Sequence, residues 1–208
     1  DIDIGSGATM RFDQDTDSSF SGGISGSGAL EKFGAGSLSL TGAYSFTGET
    51  KVSGGELLIG GAYLNSSSSF NLTGGALTIS GSGTKTIHEL KVGSSGSLKL
   101  NGGSLAVAQA INSTQHLSLI GTGTLNLDQA GNSLGGGVTL QNGSLIVGTA
   151  SARKTASLAA DVSVLKDAIL GGHGAITGAV TNNGRIAPGN SIGTLTINGD
   201  LSGSGTLD

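Results

Sequence analysis

Leucine, isoleucine and valine recur at every second position over short stretches, and glycine, serine and asparagine separate those stretches. Leu38 and Leu40, Leu77 and Ile79, Leu98 and Leu100, Leu125 and Leu127, and Leu195 and Ile197 fall on one side of their stretches. Ser39, Thr78, Lys99, Asn126 and Thr196 fall on the other. Period-two alternation of this kind predicts half-buried β-strands of about five residues. The unit Gly-x-apolar-x-apolar opens at Gly36, Gly55, Gly75, Gly103, Gly123 and Gly143, in steps of 19, 20, 28, 20 and 20 residues. The long step holds a further copy at Gly96. Units at Gly174, a looser match, and Gly193 follow, again 19 residues apart.

Strands this short and evenly spaced fit either a chain of hairpins or a coiled parallel solenoid. Hairpins need repeated two-residue turns, yet Asn-Gly pairs begin only at Asn101, Asn142, Asn183 and Asn198. Equal spacing favours the solenoid. The fold class expected is all-β, a parallel β-helix of roughly ten coils, each coil stacking about 4.8 Å above the last in a rod roughly 50 Å long. Equivalent leucines then form a continuous apolar column.

Composition fits a stack. The chain has 40 glycines among 208 residues and 1 Pro. Tight corners need residues with free φ, and proline would remove a donor from the inter-coil ladder. A hydrophobic fraction of 36% with a net charge of −4 argues against disorder. All seven aromatic residues lie between Phe12 and Phe70, which predicts a differently shaped cross-section in the first third. The chain then divides into aromatic-containing coils over 1–70, regular aliphatic coils over 71–148, a loop excursion over 149–166 and C-terminal coils over 167–208. Ser151-Ala152-Arg153-Lys154-Thr155 marks the excursion by interrupting the repeat.

Several partner classes are excluded. The ten Lys and Arg, from Arg11 to Arg185, form no basic patch, which argues against nucleic acid and anionic membrane surfaces. No apolar run approaches the roughly 20 residues of a membrane-spanning helix, so membrane insertion is not expected. Asp1 to Gly5 lack the features of an export signal, and the chain reads as a segment of something longer. Exposed strand edges at its two ends call for caps in the intact protein.

The residues from Gly26 to Leu57 carry a more specific pattern. Gly26, Gly28, Leu30, Lys32, Gly34, Gly36, Leu38, Leu40 and Gly42, followed by Phe46, Gly48, Thr50 and Val52, resemble the passenger-associated strand repeat of bacterial autotransporters, with Phe46 where tyrosine is usual. The stretch Leu170-Gly-Gly-His173 through Asn182-Asn183-Gly184, Ala187-Pro188-Gly189-Asn190-Ser191-Ile192-Gly193 to Asp200 resembles the C-terminal passenger segment of the same family, with His173 where a small polar residue is more usual. The resemblance implies a right-handed parallel β-helix, exported across the Gram-negative outer membrane by a C-terminal translocator β-barrel on the same precursor. It also implies folding outside the cell, coil upon coil. No barrel pattern of long alternating strands with aromatic girdles occurs after Phe70, so the chain is expected to be passenger cut before the barrel, near the folding region the family calls the autochaperone.

Candidate chemistry is sparse. Gly189-Asn-Ser191-Ile-Gly193 matches a nucleophile elbow, but an elbow needs a strand-to-helix turn and a strand pattern follows here. His88, His116 and His173 are far apart, without an acidic residue at a motif spacing. Asp13, Asp15 and Asp17 form an Asp-x-Asp-x-Asp run, yet Ser18 stands where a calcium loop needs glycine and Ile24 where it needs glutamate. Asp128, Asp161, Asp167 and Asp200 are isolated, which disfavours paired-carboxylate hydrolysis. Gly135-Gly136-Gly137 opens no helix and precedes no Lys-Ser or Lys-Thr, so phosphate binding is disfavoured. No catalytic, cofactor-binding or metal-ligating residue is assigned, no cofactor is expected, and calcium at the three aspartates stays open.

Two functions remain. One is a non-enzymatic surface-exposed or secreted module acting in adhesion or cell–cell aggregation, through self-association with other copies or contact with host glycans or proteins. The other is a passive shaft that displays an N-terminal effector, such as a protease domain, away from the outer membrane.

Overall fold

Alternation decides which side of each strand turns inward, and glycine decides where the chain turns. The computed structural model describes residues 1–60, 64–65, 67–94, 96–150, 155–189 and 193–208. They form an all-β parallel solenoid of about ten turns, with no α-helix among the described residues. A typical coil of about twenty residues carries three short strands, so the rod has three walls.

The first wall begins with Ile2–Ile4 and Ile24–Gly26, resumes with Thr84–Ile87, Ser104–Val107 and Thr124–Leu127, and ends with Arg185–Pro188 and Thr206–Leu207. The second wall is two five-stranded sheets. One holds Thr9–Asp13, Ala29–Phe33, Glu49–Val52, Ser69–Leu72 and Glu89–Val92; the other holds Asn112–Ser113, Asn132–Leu134, Ser157–Ala159, Ala175–Ile176 and Thr196–Ile197. The third wall runs from Ser18–Phe20 through Ser37–Leu40, Glu56–Gly60, Ala76–Ser80, Gly96–Asn101 and Leu117–Ile120 to Val180–Asn182 and Leu201–Ser202. Between them, the long strands Val138–Val147 and Val162–Gly172 serve the third wall with their first halves and the first wall with their second halves. The corner there is reduced to a register shift between Leu140 and Asn142.

Inward residues stack in register. On the third wall Leu38, Leu57, Leu77, Leu98, Leu119, Leu140 and Val164 pair one above the next, and all are buried. Leu105, Leu125, Leu145, Leu170 and Ile186 make the matching column on the first wall. Each buried leucine stabilises the stack by about 2 kcal/mol relative to exposure. Buried Asn132 is engaged at both ends of its amide: it accepts from the Ile111 amide at 3.0 Å and donates to the carbonyls of Gln129 and Ser157.

Two sequence expectations need revision. The Gly-x-apolar-x-apolar units do not form one series. Those at Gly36, Gly55, Gly75 and Gly96 open third-wall strands, those at Gly103, Gly123 and Gly143 serve the first wall, and those at Gly174 and Gly193 precede the second. The 28-residue step is a change of wall, because all three walls are built from the same strand-and-corner chemistry. The segment expected to loop out over 149–166 does not do so from Ser157 onward. The chain is back in the solenoid by Ser157, whose N–H donates to Gln129 O at 3.2 Å and whose Oγ accepts from Gly131 N at 2.8 Å. Residues 151–154 lie outside the described residues. The aromatic third does differ in shape: between Ile24–Gly26 and Thr84–Ile87 the described first wall is reduced to one bridge, Ile24 to Tyr44. Tyr44, Phe46, Leu64 and Phe70 line a small internal pocket there.

Candidate functional site

Four of the seven aspartates that stand out in the sequence fasten one coil to another. Asp15 Oδ1 accepts from the Ala35 amide at 3.1 Å and Asp17 Oδ1 from the Ser37 amide at 2.8 Å. Asp13 pairs with Arg11 at 3.3 Å. Asp128 takes both the N–H and the hydroxyl of Thr149, at 2.7 and 2.8 Å, and Asp161 takes the Ala179 amide at 2.8 Å. A carboxylate accepting from the next coil satisfies a corner N–H that the ladder misses. Asp167 lies opposite Asn142 in register and Asp200 is exposed. Among the described residues no group of three His, Cys, Asp or Glu converges as a metal site.

The histidines stay apart. His88 is exposed at a corner, His116 Nδ1 lies 3.0 Å from Gly136 O, and His173 follows Val162–Gly172. The amides of Gly135 and Gly137 are spent on Ser113 O and Leu134 O. Ser191 lies outside the described residues.

Two features on the second wall escaped the sequence reading. Arg11, Glu31, Lys51, Asn71 and Lys91 stack outward in one column. Lys51 pairs with Glu31 at 3.2 Å, and Lys91 pairs with Glu49 at 2.7 Å and Glu89 at 3.3 Å. The Ser53 hydroxyl bonded to Glu31 holds its carboxyl below the usual value, with Lys51 adding to the effect against partial burial. Burial pushes Glu49 up, but hydrogen bonds from Lys91 and Asn71 outweigh it and the net displacement is downward. Lys91 is raised, first by its bond to Glu49.

The second feature is Lys32, whose whole side chain is buried. Its ammonium donates to the carbonyls of Phe33 at 2.7 Å, Gly34 at 2.9 Å and Gly54 at 3.4 Å. Burial lowers its pKa, opposed by the charges of Asp13 and Asp15.

The first wall carries a groove of about 550 Å³. One flank is a ladder of hydroxyls, Ser104, Thr124 and Ser144, stacked in register. Asn126 lies on the next outward column, and Ile146 and Ile169 form an apolar floor towards Arg185. No helix of the described chain is long and apolar enough to cross a membrane.

Residues 30–59 and 117–147 match the passenger-associated-transport-repeat. The chain fits the passenger domain of an autotransporter. No curated protein and no solved structure matches it. Each matched repeat spans about one and a half coils. The two enter the solenoid on different walls: the first starts on the second wall at Leu30, the second on the third wall at Leu117. Leu38 and Leu57 of the first repeat therefore stack on the third wall, while the corresponding Leu125 and Leu145 stack on the first.

Proposed function

We propose that this passenger is a non-enzymatic, surface-exposed or secreted module acting in adhesion or cell–cell aggregation, carried to the exterior of a Gram-negative cell by a β-barrel of its own precursor. The observation that carries the reading is the in-register ladder of outward Ser104, Thr124 and Ser144 on the first wall. Hydroxyls repeated at the coil spacing present many weak, equivalent hydrogen-bonding points, which suits avid contact between surfaces more than a single tight site. The acidic side chains best placed for chemistry, Asp15, Asp17, Asp128 and Asp161, are engaged by neighbouring coils, which supports a structural passenger without catalysis of its own. In this reading the coils beyond residue 167 lead toward the C-terminal folding region.

The passive-shaft reading has one observation in its favour: the charges of the second wall close on one another and so serve stiffness. Bacteria displaying the parent protein, compared with a version lacking residues 20–145, separate the two. Loss of settling and surface attachment at unchanged display is expected for the adhesive wall. Equal behaviour of both strains would make the segment a spacer.

A further inference from the structure

We infer that the groove on the first wall is a binding site for an extended oligosaccharide bearing carboxylates, lying along the rod axis with an acidic sugar over Arg185. The inference rests on the adhesive reading and names its ligand class. Its volume, about 550 Å³, is in the range of built ligand sites. Ser104, Thr124, Ser144, Ile169 and Arg185 follow one another in register on five successive strands. The line from Ser104 to Arg185 thus covers four coil steps, roughly 19 Å at about 4.8 Å each. That step is close to the length of one sugar ring in an extended chain, so successive rings meet successive coils.

The chemistry along the line changes in an ordered way. Three hydroxyls and the Asn126 amide at one end offer both donors and acceptors to sugar hydroxyls. Ile146 and Ile169 provide an apolar floor for the C–H face of a ring. Arg185 supplies the charge. Asp208 holds its Nε at 2.5 Å, which leaves the four terminal guanidinium N–H donors for a carboxylate. Among the described residues no carboxylate lines the groove, in a chain whose net charge is −4. Asp128, which bonds the lining residue Thr149, spends both oxygens on that contact.

His173 closes the same end. Its imidazole sits against Gly189 and Gly193, where an added Cβ would approach the ring to 3.0 and 2.4 Å respectively. A side chain at either position would press on the imidazole where it now stands. His173 also lines the groove, so this end presents an imidazole together with the terminal N–H groups of a guanidinium whose Nε is held by Asp208.

The test is calorimetric titration of the purified chain with a hyaluronan tetrasaccharide, with cellotetraose as the neutral chain and glucuronic acid as the free sugar acid. The tetrasaccharide is expected to bind saturably, and the other two to bind much more weakly. Arg185→Gln is expected to weaken it about tenfold, the cost of one charge-assisted contact. Asn126→Asp, which changes shape little but puts a negative charge in the groove, is expected to weaken it as well. Ser39→Asp, on the third wall, leaves binding unchanged. Circular dichroism and the melting temperature check that each variant is folded. Absence of saturable binding, equal affinity for cellotetraose or glucuronic acid, or unchanged affinity in both folded groove variants would overturn the proposal. If the displayed protein still makes cells settle while the purified chain binds no tetrasaccharide, the glycan site falls and the adhesive reading stands.

Discussion

Lys91 holds the carboxylate of Glu49 at 2.7 Å although 42 residues separate them, reaching across the coil that carries Asn71. Asn71 donates to the other oxygen of the same carboxylate at 3.2 Å. Three successive coils are thereby tied on their outer face. Only a stack that repeats about every twenty residues in register brings residues 49, 71 and 91 together.

This tie gives stability a defined pH profile. Glu31 and Glu49 have lowered pKa values when folded, so their contribution is complete above the ordinary value of 4.5 and is lost as pH falls through the folded values. Lys91 is raised above 10.5, so its share is complete below 10.5 and is lost as pH rises through the folded value. Glu49→Gln is expected to cost no more than about 1 kcal/mol at pH 7, because the pair is partly exposed. It should also flatten the acid limb, read from urea midpoints at pH 7 and pH 3.5, and 0.5 M salt should shrink the difference, as expected for screened charges.

Lys32 behaves oppositely. Its folded pKa is lowered, so the fold favours the neutral amine and the cost of burying the charge is relieved as pH rises from the folded value to 10.5. Lys32→Met removes that dependence but leaves the carbonyls of Gly34 and Gly54 without the ammonium. The stability of the natural chain relative to the variant is expected to rise over that alkaline interval in urea titrations. A difference that stays flat with pH would contradict the buried cation.

Corners test the close stacking directly. Gly121 has φ of +97°, and a Cβ there would lie 2.2 Å from Leu100 O. Gly131 has φ of +78° with nothing within 4 Å. Gly131→Ala is expected to cost about 1 kcal/mol, the left-handed backbone penalty alone. Gly121→Ala adds a clash with the coil below, and the total should reach about 3 kcal/mol. Equal losses in thermal or urea melts would mean that coils are not packed this tightly.

Asp15 and Asp17 are expected to act through the Ala35 and Ser37 amides, without a cation. Asp17→Ala should cost about 1 kcal/mol as an exposed charge-assisted hydrogen bond is lost. Calcium or EGTA should leave the melting temperature of the natural chain unchanged. A rise with calcium that Asp17→Ala abolishes would assign the run to metal instead.

The strands were legible because alternation is local: Leu38 and Leu40 reveal a half-buried strand wherever it stands. Which wall a strand belongs to was not, since Gly75-Ala-Leu77 and Gly103-Ser-Leu105 share one pattern and differ only in how many corners precede them. The charged column illustrates the same limit. Arg11, Glu31, Lys51, Asn71 and Lys91 stand 20 residues apart, a regularity that has meaning only once the coil length is fixed on that wall. The Lys32 carbonyl cage and the first-wall groove depend on corner geometry, which leaves no periodic trace.

The wall assignment underlies every face described above, and engineered disulfides test it most directly, because the chain has no native cysteine. Ser104 and Thr124 are register partners on the first wall, as are Ala76 and Ser97 on the third. Cysteine pairs at 104/124 and at 76/97 are expected to oxidise readily, since parallel neighbours fall within the Cα separation a disulfide allows. The pair 76/104, equivalent in the glycine motif but on different walls, is expected to stay reduced. Efficient cross-linking of 76/104 with failure of 104/124 would contradict the three-walled solenoid.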